Sequence, residues 1–181
     1  MPNWNSIARR IRVPLGFLFA GTYIWLAHPS NLSIATGTII ALIGLFIRAL
    51  ASGHVQKNEV LTVTGPYAHT RNPLYLGSII LASGFLVAAR NWILVLLALA
   101  LLLIIYLPVI RSEEAFLRQC FPEYGEYAER VPRLLPAFRP YQDSPGSFSW
   151  HLYWKHREYN AALGMICMIT MLIAKLFWLS K

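Results

Sequence analysis

Long apolar runs separated by short polar segments make up most of this chain. Five runs stand out: about Val13–Ala27, Ile34–Ala51, Leu74–Ala89, Asn91–Ile110 and Ala161–Leu179. A helix needs about 17–25 mostly apolar residues to cross the hydrocarbon of a bilayer, and these runs approach or reach that length. The pattern therefore predicts an all-α, polytopic membrane protein with about five transmembrane helices.

A large soluble helical bundle is the alternative for the same helices. The segment Trp92–Ile105 argues against it, because it carries no charged side chain and no hydrogen-bonding group apart from one indole. Such a helix has no face that water would solvate. The composition agrees: 56% of the residues are hydrophobic, the mean hydropathy is +0.48, and 13% are charged, about half the usual share.

Positive charge is distributed unevenly along the predicted topology. Five crossings put the N-terminus, the second loop and the fourth loop on one side, and 13 of the 16 Lys and Arg residues lie there. The other three are Arg90, Lys175 and Lys181. Cytoplasmic loops carry the excess of Lys and Arg, so the first side is predicted to be cytoplasmic and the C-terminus to lie opposite. The net charge of +8 then indicates contact with anionic membrane lipids and requires no nucleic acid partner.

The chain is predicted to form one membrane domain over residues 1–181. Residues 1–12 carry a tryptophan and two isoleucines at helical spacing beside three arginines, which predicts an amphipathic segment at the membrane interface. Residues 141–181 begin with a stretch rich in Pro, Gly and Ser, which predicts a loop before the last transmembrane helix.

Polar chemistry is concentrated in the segment Thr64–Gly77 and in the pair Glu113 and Glu114. Both lie where a predicted membrane helix meets water, and polar side chains at such places are costly and usually functional. Adjacent residues on a helix point about 100° apart, so one glutamate is predicted to face a pocket and the other solvent. A carboxylate facing a pocket could hold a ligand ammonium group or ribose hydroxyls; a solvated helix end is the alternative.

The segment Thr64–Gly77 also combines an anion site with aromatic faces. Arg71 precedes Pro73, which suits the first turn of a helix, where free N–H groups attract anions. Tyr67 and Tyr75 could stack on a purine or lie against a sulfonium cation, and interfacial anchoring is the alternative for each. His69 is a candidate general base or an ordinary surface histidine. The five histidines have no ligand spacing, so no metal site is predicted.

The order of the motifs resembles one family of membrane enzymes. The motifs are Leu61-Thr-Val-Thr-Gly-Pro-Tyr67, Arg71-Asn-Pro-Leu-Tyr-Leu-Gly77, Glu113-Glu-Ala-Phe-Leu117, Phe121-Pro-Glu-Tyr124, Tyr127 and Val131-Pro-Arg-Leu-Leu-Pro136. In order and spacing, over about residues 40–136, they resemble the isoprenylcysteine carboxyl methyltransferase family and the related membrane phospholipid methyltransferases. These are integral membrane enzymes that use S-adenosylmethionine, which they bind on the cytoplasmic side.

The resemblance implies a set of cofactor-binding residues. They are Glu59, Val60, Leu61, Thr62, Tyr67, Asn72, Pro73, Leu74, Tyr75, Glu113 and Glu114. His54 and Lys57 are added because their charge could meet the methionine carboxylate of the cofactor. The candidate catalytic residues are His69, Arg71 and Arg111.

Two positions depart from the family's pattern. Asn72 replaces the histidine that usually follows the motif arginine, and an amide cannot shuttle a proton. The substrate-facing arginine four residues before the first glutamate is Val109 in this chain. Arg111 lies two residues further along, which is about 200° round a helix.

The expected function is methyl transfer from S-adenosylmethionine to a lipophilic acceptor at the cytoplasmic membrane interface. The acceptor group is the carboxylate of an isoprenylcysteine-like molecule, which needs no base, or a phospholipid amine headgroup, which must first lose a proton. The alternatives are an NADPH-dependent membrane sterol-type reductase and a non-catalytic membrane scaffold. The oligomeric state is not predicted, although Gly37 and Ala41 form a small pair at which helices can approach closely.

Overall fold

The computed structural model describes residues 4–56, 59–142 and 146–179, and within these ranges the regular structure is entirely helical. The α-helices are α1 (Trp4–Leu26), α2 (Asn31–His54), α3 (Pro73–Ala89), α4 (Trp92–Leu101), α5 (Leu107–Cys120), α6 (Tyr124–Arg130), α7 (Trp150–Lys155) and α8 (Tyr159–Leu179). A 3₁₀ turn covers Gly65–Ala68, and a π-helical turn, Leu102–Tyr106, joins α4 to α5. The predicted all-α fold is confirmed.

All five predicted apolar runs are helical. Three helices have the length and composition to cross a membrane: Asn31–His54, Trp92–Cys120 and Tyr159–Trp178. Two shorter apolar helices accompany them, Val13–Leu26 and Pro73–Ala89. Large apolar side chains on several of these helices are more than half exposed, among them Phe17, Trp25, Phe46, Leu103 and Trp178. A broad exposed apolar surface suits lipid and not water, and the prediction of a polytopic membrane protein is confirmed.

Consecutive membrane helices run in opposite directions, as one apolar cluster shows. In it the C-terminal ends of α1, α3 and α8 meet the N-terminal ends of α2 and α4. Its buried members are Tyr23, Ala27, Ile34, Ala88, Ala89, Leu94 and Leu172. Asn91 Nδ2 donates to the Leu26 carbonyl at this end over 2.8 Å. The opposite end of the bundle therefore carries the end of α2, the start of α3 and the end of α5.

Helices α2 and α3 pack backbone against backbone. A Cβ atom at Gly37 would lie 2.8 Å from the Cβ of Ala88, and one at Gly44 would lie 2.6 Å from the carbonyl oxygen of Gly77. Both distances are shorter than the non-bonded contacts that a Cβ atom makes in proteins, so only glycine fits at these two positions. The small pair predicted at Gly37 and Ala41 thus packs within the chain, because Ala41 also contacts α3 at Gly84.

Three elements add detail to the sequence expectations. Helix α1 begins at Trp4 and continues through Pro14, so the described part of the predicted interfacial segment forms its first turns; residues 1–3 lie outside the described residues. Ala8 in that segment is buried against Ile105 and Val109. The π-helical turn ends at Tyr106, two residues before Pro108 in the first turn of α5. Helix α7 lies between the stretch rich in Pro, Gly and Ser and α8.

The segment 131–141, here called the strap, crosses the segment 64–72, here called the entry loop. The backbone N–H of Arg71 donates to the carbonyl oxygen of Pro132 over 2.9 Å. In the other direction, the backbone N–H of Ala137 donates to the carbonyl of His69 over 2.8 Å, and that of Tyr141 to the carbonyl of Ala68 over 2.9 Å. The buried Thr70 hydroxyl lies 3.2 Å from the carbonyl oxygens of Arg133 and Leu134. The strap therefore fixes the chain as it enters α3.

Candidate active site

Glu114 connects three elements through one buried carboxylate. Its Oε1 accepts a hydrogen bond from Asn72 Nδ2 over 2.9 Å, and its Oε2 accepts one from Arg133 Nε over 2.9 Å. Arg71 Nε lies 3.7 Å from Oε1. The hydrogen bond to Glu114 raises the pKa of the Arg133 guanidinium, so this ion pair persists at physiological pH. The glutamate that turns away from the pocket is thus buried between α5, the entry loop and the strap, and the expectation that it faces solvent was wrong.

Glu113 points into a cavity instead. Its Oε1 accepts a hydrogen bond from the Tyr75 hydroxyl over 3.1 Å. Tyr75 stands in the first turn of α3, and its ring meets that of Tyr106 edge to face, with 6.5 Å between the centroids. Because α3 begins where α5 leaves the apolar layer, a carboxylate and two aromatic rings come together on one wall.

This cavity has a volume of about 1130 Å³ and two chemically different ends. Its polar end is lined by Gln56, Thr62, Tyr67, Arg71, Asn72, Tyr75, Glu113, Tyr124 and Tyr127. Its apolar end lies between α1, α3 and α4 and is lined by Val13, Phe17, Ile79, Ala82, Leu86, Val95 and Ala98. One face of α3 follows the cavity from Leu74 to Leu86, about 18 Å at 1.5 Å per residue. A polar ligand and an apolar chain could therefore be bound end to end.

Two buried donors at the polar end have no hydrogen-bond partner in the described part of the chain. They are the Tyr124 hydroxyl and Arg71 Nε, and both residues line the cavity. Tyr67 and Tyr127 close the same end, and the Tyr127 hydroxyl donates to the Tyr67 carbonyl over 2.7 Å. Burial raises the pKa of Tyr67 and of Tyr127 well above the ordinary value, so both phenols are uncharged. Arg71 Nε keeps its ion-pair distance of 3.7 Å to Glu114 Oε1, so the guanidinium is held beside the cavity wall.

The residues predicted from sequence divide into two groups. Those that line the cavity are Val60, Leu61, Thr62, Tyr67, Arg71, Asn72, Leu74, Tyr75 and Glu113. Those that do not line it are His54, Glu59, His69, Pro73, Arg111 and Glu114. Lys57 lies outside the described residues.

Several residues of the second group have other contacts. His54 Nδ1 lies 2.8 Å from the Leu50 carbonyl oxygen, and its ring packs edge to face on Phe148. Glu59 is exposed and forms an ion pair of 3.3 Å with Lys155. His69 Nδ1 lies 2.8 Å from the Ala137 carbonyl oxygen, which joins it to the strap. Arg111 is exposed on α5.

Sequence reasoning missed several residues of the cavity wall. They are Arg48, Gln56, Ser78, Tyr106, Tyr124 and Tyr127. Arg48 carried a usable signal, since it is the single charge in the apolar run Ile34–Ala51 and charges inside membrane helices usually serve function. Tyr124 and Tyr127 belong to the motifs that carried the family resemblance.

These features define a helical membrane protein in which one cavity joins a carboxylate-bearing polar end to an apolar groove. The family model of phospholipid methyltransferases matches residues 34–124, which is half of the chain and covers most of α2 and all of α3 to α5. The chain belongs to the phospholipid methyltransferase family.

Three curated relatives are similar to the chain. The cobalt-zinc-cadmium resistance protein CzcN of Cupriavidus metallidurans is 35% identical over 129 residues, which is 70% of this chain and 56% of the relative. The nickel-cobalt-cadmium resistance protein NccN of Alcaligenes xylosoxydans is 37% identical over 102 residues, 55% of this chain and 46% of the relative. The protein-S-isoprenylcysteine O-methyltransferase of Schizosaccharomyces pombe is 31% identical over 123 residues, 67% of this chain and 48% of the relative.

The chain spans about half the length of the curated relatives it matches. No solved structure gave a significant match. Within the described ranges, no group of three or more His, Cys, Asp or Glu side chains is arranged to hold a metal ion.

Proposed function

We propose that this protein transfers a methyl group from S-adenosylmethionine to a lipophilic acceptor at the cytoplasmic face of the membrane. The observation that carries the proposal is the 3.1 Å contact between Tyr75 and Glu113 at the polar end of a cavity that continues into an apolar groove. Membership of the family supports methyl transfer over the reductase and scaffold alternatives.

The polar end fits the chemistry of S-adenosylmethionine. Glu113 can accept hydrogen bonds from ribose hydroxyls or from an ammonium group, and the rings of Tyr75 and Tyr106 attract a sulfonium cation. The positive charge of Arg71 on the cavity wall suits the cofactor's carboxylate. A cavity of about 1130 Å³ exceeds the range of about 300–1,000 Å³ that is usual for one ligand, which leaves space for an acceptor.

S-adenosylmethionine, when bound, supplies an electrophilic methyl group on a positively charged sulfur. The chain's part is to hold two ligands in line at a reacting distance of about 3 Å. Apolar side chains such as Ile79 and Leu102 line the cavity one helical turn from Tyr75 and Tyr106, and they exclude water from the acceptor.

A proton acceptor is needed only for some substrates. His69 is joined to the strap, and the Asn72 amide is joined to Glu114, so neither side chain serves as a base in the proposed mechanism. A carboxylate acceptor is already ionised and needs none. An amine acceptor would give up its proton to Glu113, the carboxylate on the cavity wall.

The cytoplasmic assignment rests on charge. The end of the bundle with the polar half of the cavity carries the entry loop, the end of α5 and the strap, with Arg71, Arg118 and Arg133. This accords with the excess of Lys and Arg on cytoplasmic segments. A soluble cofactor would then enter from the cytosol and a lipophilic acceptor from the bilayer.

The reaction can be followed with a methyl donor that carries deuterium. Purified protein is incubated with a membrane lipid extract and the labelled donor, and the lipid fraction is analysed by mass spectrometry. We expect a deuterated methyl group in a lipid-soluble product with the unmodified protein and with Gln119→Ala, an exposed control position on α5. We expect a loss of at least about tenfold with Glu113→Ala. Transfer that needs no protein, or that Glu113→Ala leaves unchanged, would contradict the proposal.

A further inference from the structure

Arg48 brings a positive charge to the wall of the cavity from inside the apolar layer. It stands on α2, six residues before the helix ends at His54, so its backbone lies about 9 Å from that end. Its side chain lines the cavity. A charge at such a depth is costly, and it persists where it is paired and serves a function.

Three neighbours hold the guanidinium in place. Nε donates to Glu158 Oε1 over 2.6 Å, and the Glu158 side chain is 8% exposed. Nη1 donates to the Ser78 hydroxyl and lies 3.5 Å from the Leu74 carbonyl oxygen. The Arg48 stem passes over Gly77, where a Cβ atom would lie 2.7 Å from Arg48 Cγ. The close packing of α2 on α3 therefore positions this side chain.

One nitrogen of Arg48 remains available. Arginine has five N–H donors, two of them on Nη2. Within the described chain Nη2 has no hydrogen-bond partner, it is not among the buried unsatisfied atoms, and the Arg48 side chain, 24% exposed, lines the cavity. Two charged donors are thus available on a residue of the wall of a cavity lined mainly by apolar groups.

The position of Arg48 relative to the polar end follows from α3. Tyr75 and Ser78 are three residues apart and share one face, with about 4.5 Å between them along the axis. Tyr75 contacts Glu113 and Ser78 contacts Arg48, so Arg48 lies one helical turn deeper than Glu113. Beyond that level the wall is formed mainly by apolar residues of α1, α3 and α4.

We propose that Arg48 binds an anionic group, a carboxylate or a phosphate, on the lipophilic acceptor, with Glu158 and Ser78 positioning the guanidinium. An amphiphile held there would have its headgroup within one turn of the polar end and its chain in the apolar groove. Charge-assisted hydrogen bonds to such anions are among the stronger polar contacts in proteins. This inference rests on the proposed function and adds the chemistry of the acceptor to it.

Four probes that each have twelve carbons in an unbranched chain test the inference by direct binding to the purified protein in a neutral detergent. The probes are dodecanoate, dodecyl phosphate, dodecylamine and dodecanol. We expect both anions to bind more tightly than dodecanol and dodecylamine, and the tighter anion identifies the headgroup. We expect Arg48→Met to weaken the binding of both anions about 10- to 100-fold and to leave dodecanol binding unchanged. Equal binding of anions and dodecanol to the unmodified protein would overturn the inference.

Variants of Glu158 separate anion binding from a purely structural role of the ion pair. Glu158→Gln removes a carboxylate that competes for Arg48, so we expect it to raise the affinity for both anions. If the ion pair served only the structure, Arg48→Met and Glu158→Gln would both lower the affinity for the anions. The double variant Arg48→Met with Glu158→Gln avoids an unpaired buried charge. We expect it to fold and to have no preference for anions. Arg139→Met, at an exposed arginine away from the cavity, is the matched control.

Binding of S-adenosylmethionine to the same preparations keeps the two proposals apart. If the cofactor binds and the anion preference is absent, the inference about Arg48 fails alone. If the unmodified protein does not bind the cofactor, the proposed function fails whatever the probes show.

Discussion

At the scale of single residues, the adjacent glutamates of α5 have opposite surroundings. Glu113 faces the cavity and contacts Tyr75, whereas Glu114 is buried and binds Asn72 and Arg133. The turn of about 100° between neighbouring helical residues produces this division. It predicts that one carboxylate supports ligand binding and the other supports the folded structure.

Glu114→Ala is expected to lower the free energy of unfolding by about 2–4 kcal/mol. Removing one partner of a buried ion pair leaves charge uncompensated, and the 38% exposure of the Arg133 side chain moderates the loss. Glu113→Ala is expected to change the free energy of unfolding by less than about 0.5 kcal/mol. Unfolding of both variants in a mixed-micelle denaturant titration measures the difference. Equal losses of stability would show that the two carboxylates are not divided in this way.

At the scale of elements, the contact between α2 and α3 depends on glycines that allow no side chain. Gly44→Ala would place a Cβ atom 2.6 Å from the Gly77 carbonyl oxygen and push the helices apart. We expect a loss of about 1–3 kcal/mol in the free energy of unfolding. Gly21→Ala is the control, since nothing lies within 4 Å of the added atom, and we expect no loss there. Thermal unfolding in detergent compares them, and a Gly44→Ala protein as stable as the control would refute the close packing.

The elements also show how far sequence reasoning reaches. The apolar runs predicted the membrane helices because the length and the hydrophobicity of such helices are local properties. The meeting of Tyr75 and Glu113 was foreseeable because both stand where a membrane helix ends. The pairing of Arg48 with Glu158, which are 110 residues apart, depends on the docking of α8 and has no local signal. The strap was equally hidden, since its register is set by backbone hydrogen bonds to the entry loop.

At the scale of the whole molecule, the predicted topology places the polar end of the cavity in the cytoplasm. Cys120 ends α5 at that end of the bundle, and both natural cysteines, Cys120 and Cys167, are exposed. In a Cys167→Ser protein, a membrane-impermeant maleimide should label Cys120 in inside-out vesicles and not in intact cells.

A control for this topology test uses the opposite end of the bundle. His28→Cys, in a protein without the natural cysteines, puts a thiol at an exposed position between α1 and α2. It should be labelled in intact cells. Labelling of Cys120 from outside would reverse the orientation and remove the cytosolic route for the cofactor.

Calorimetric titration of the purified protein with S-adenosylmethionine tests the central claim most directly. The account predicts saturable binding at one site, weakened at least about tenfold by Glu113→Ala and by Tyr75→Ala and unchanged by Gln119→Ala. An absence of saturable binding, or an affinity that neither Glu113→Ala nor Tyr75→Ala alters, would contradict it.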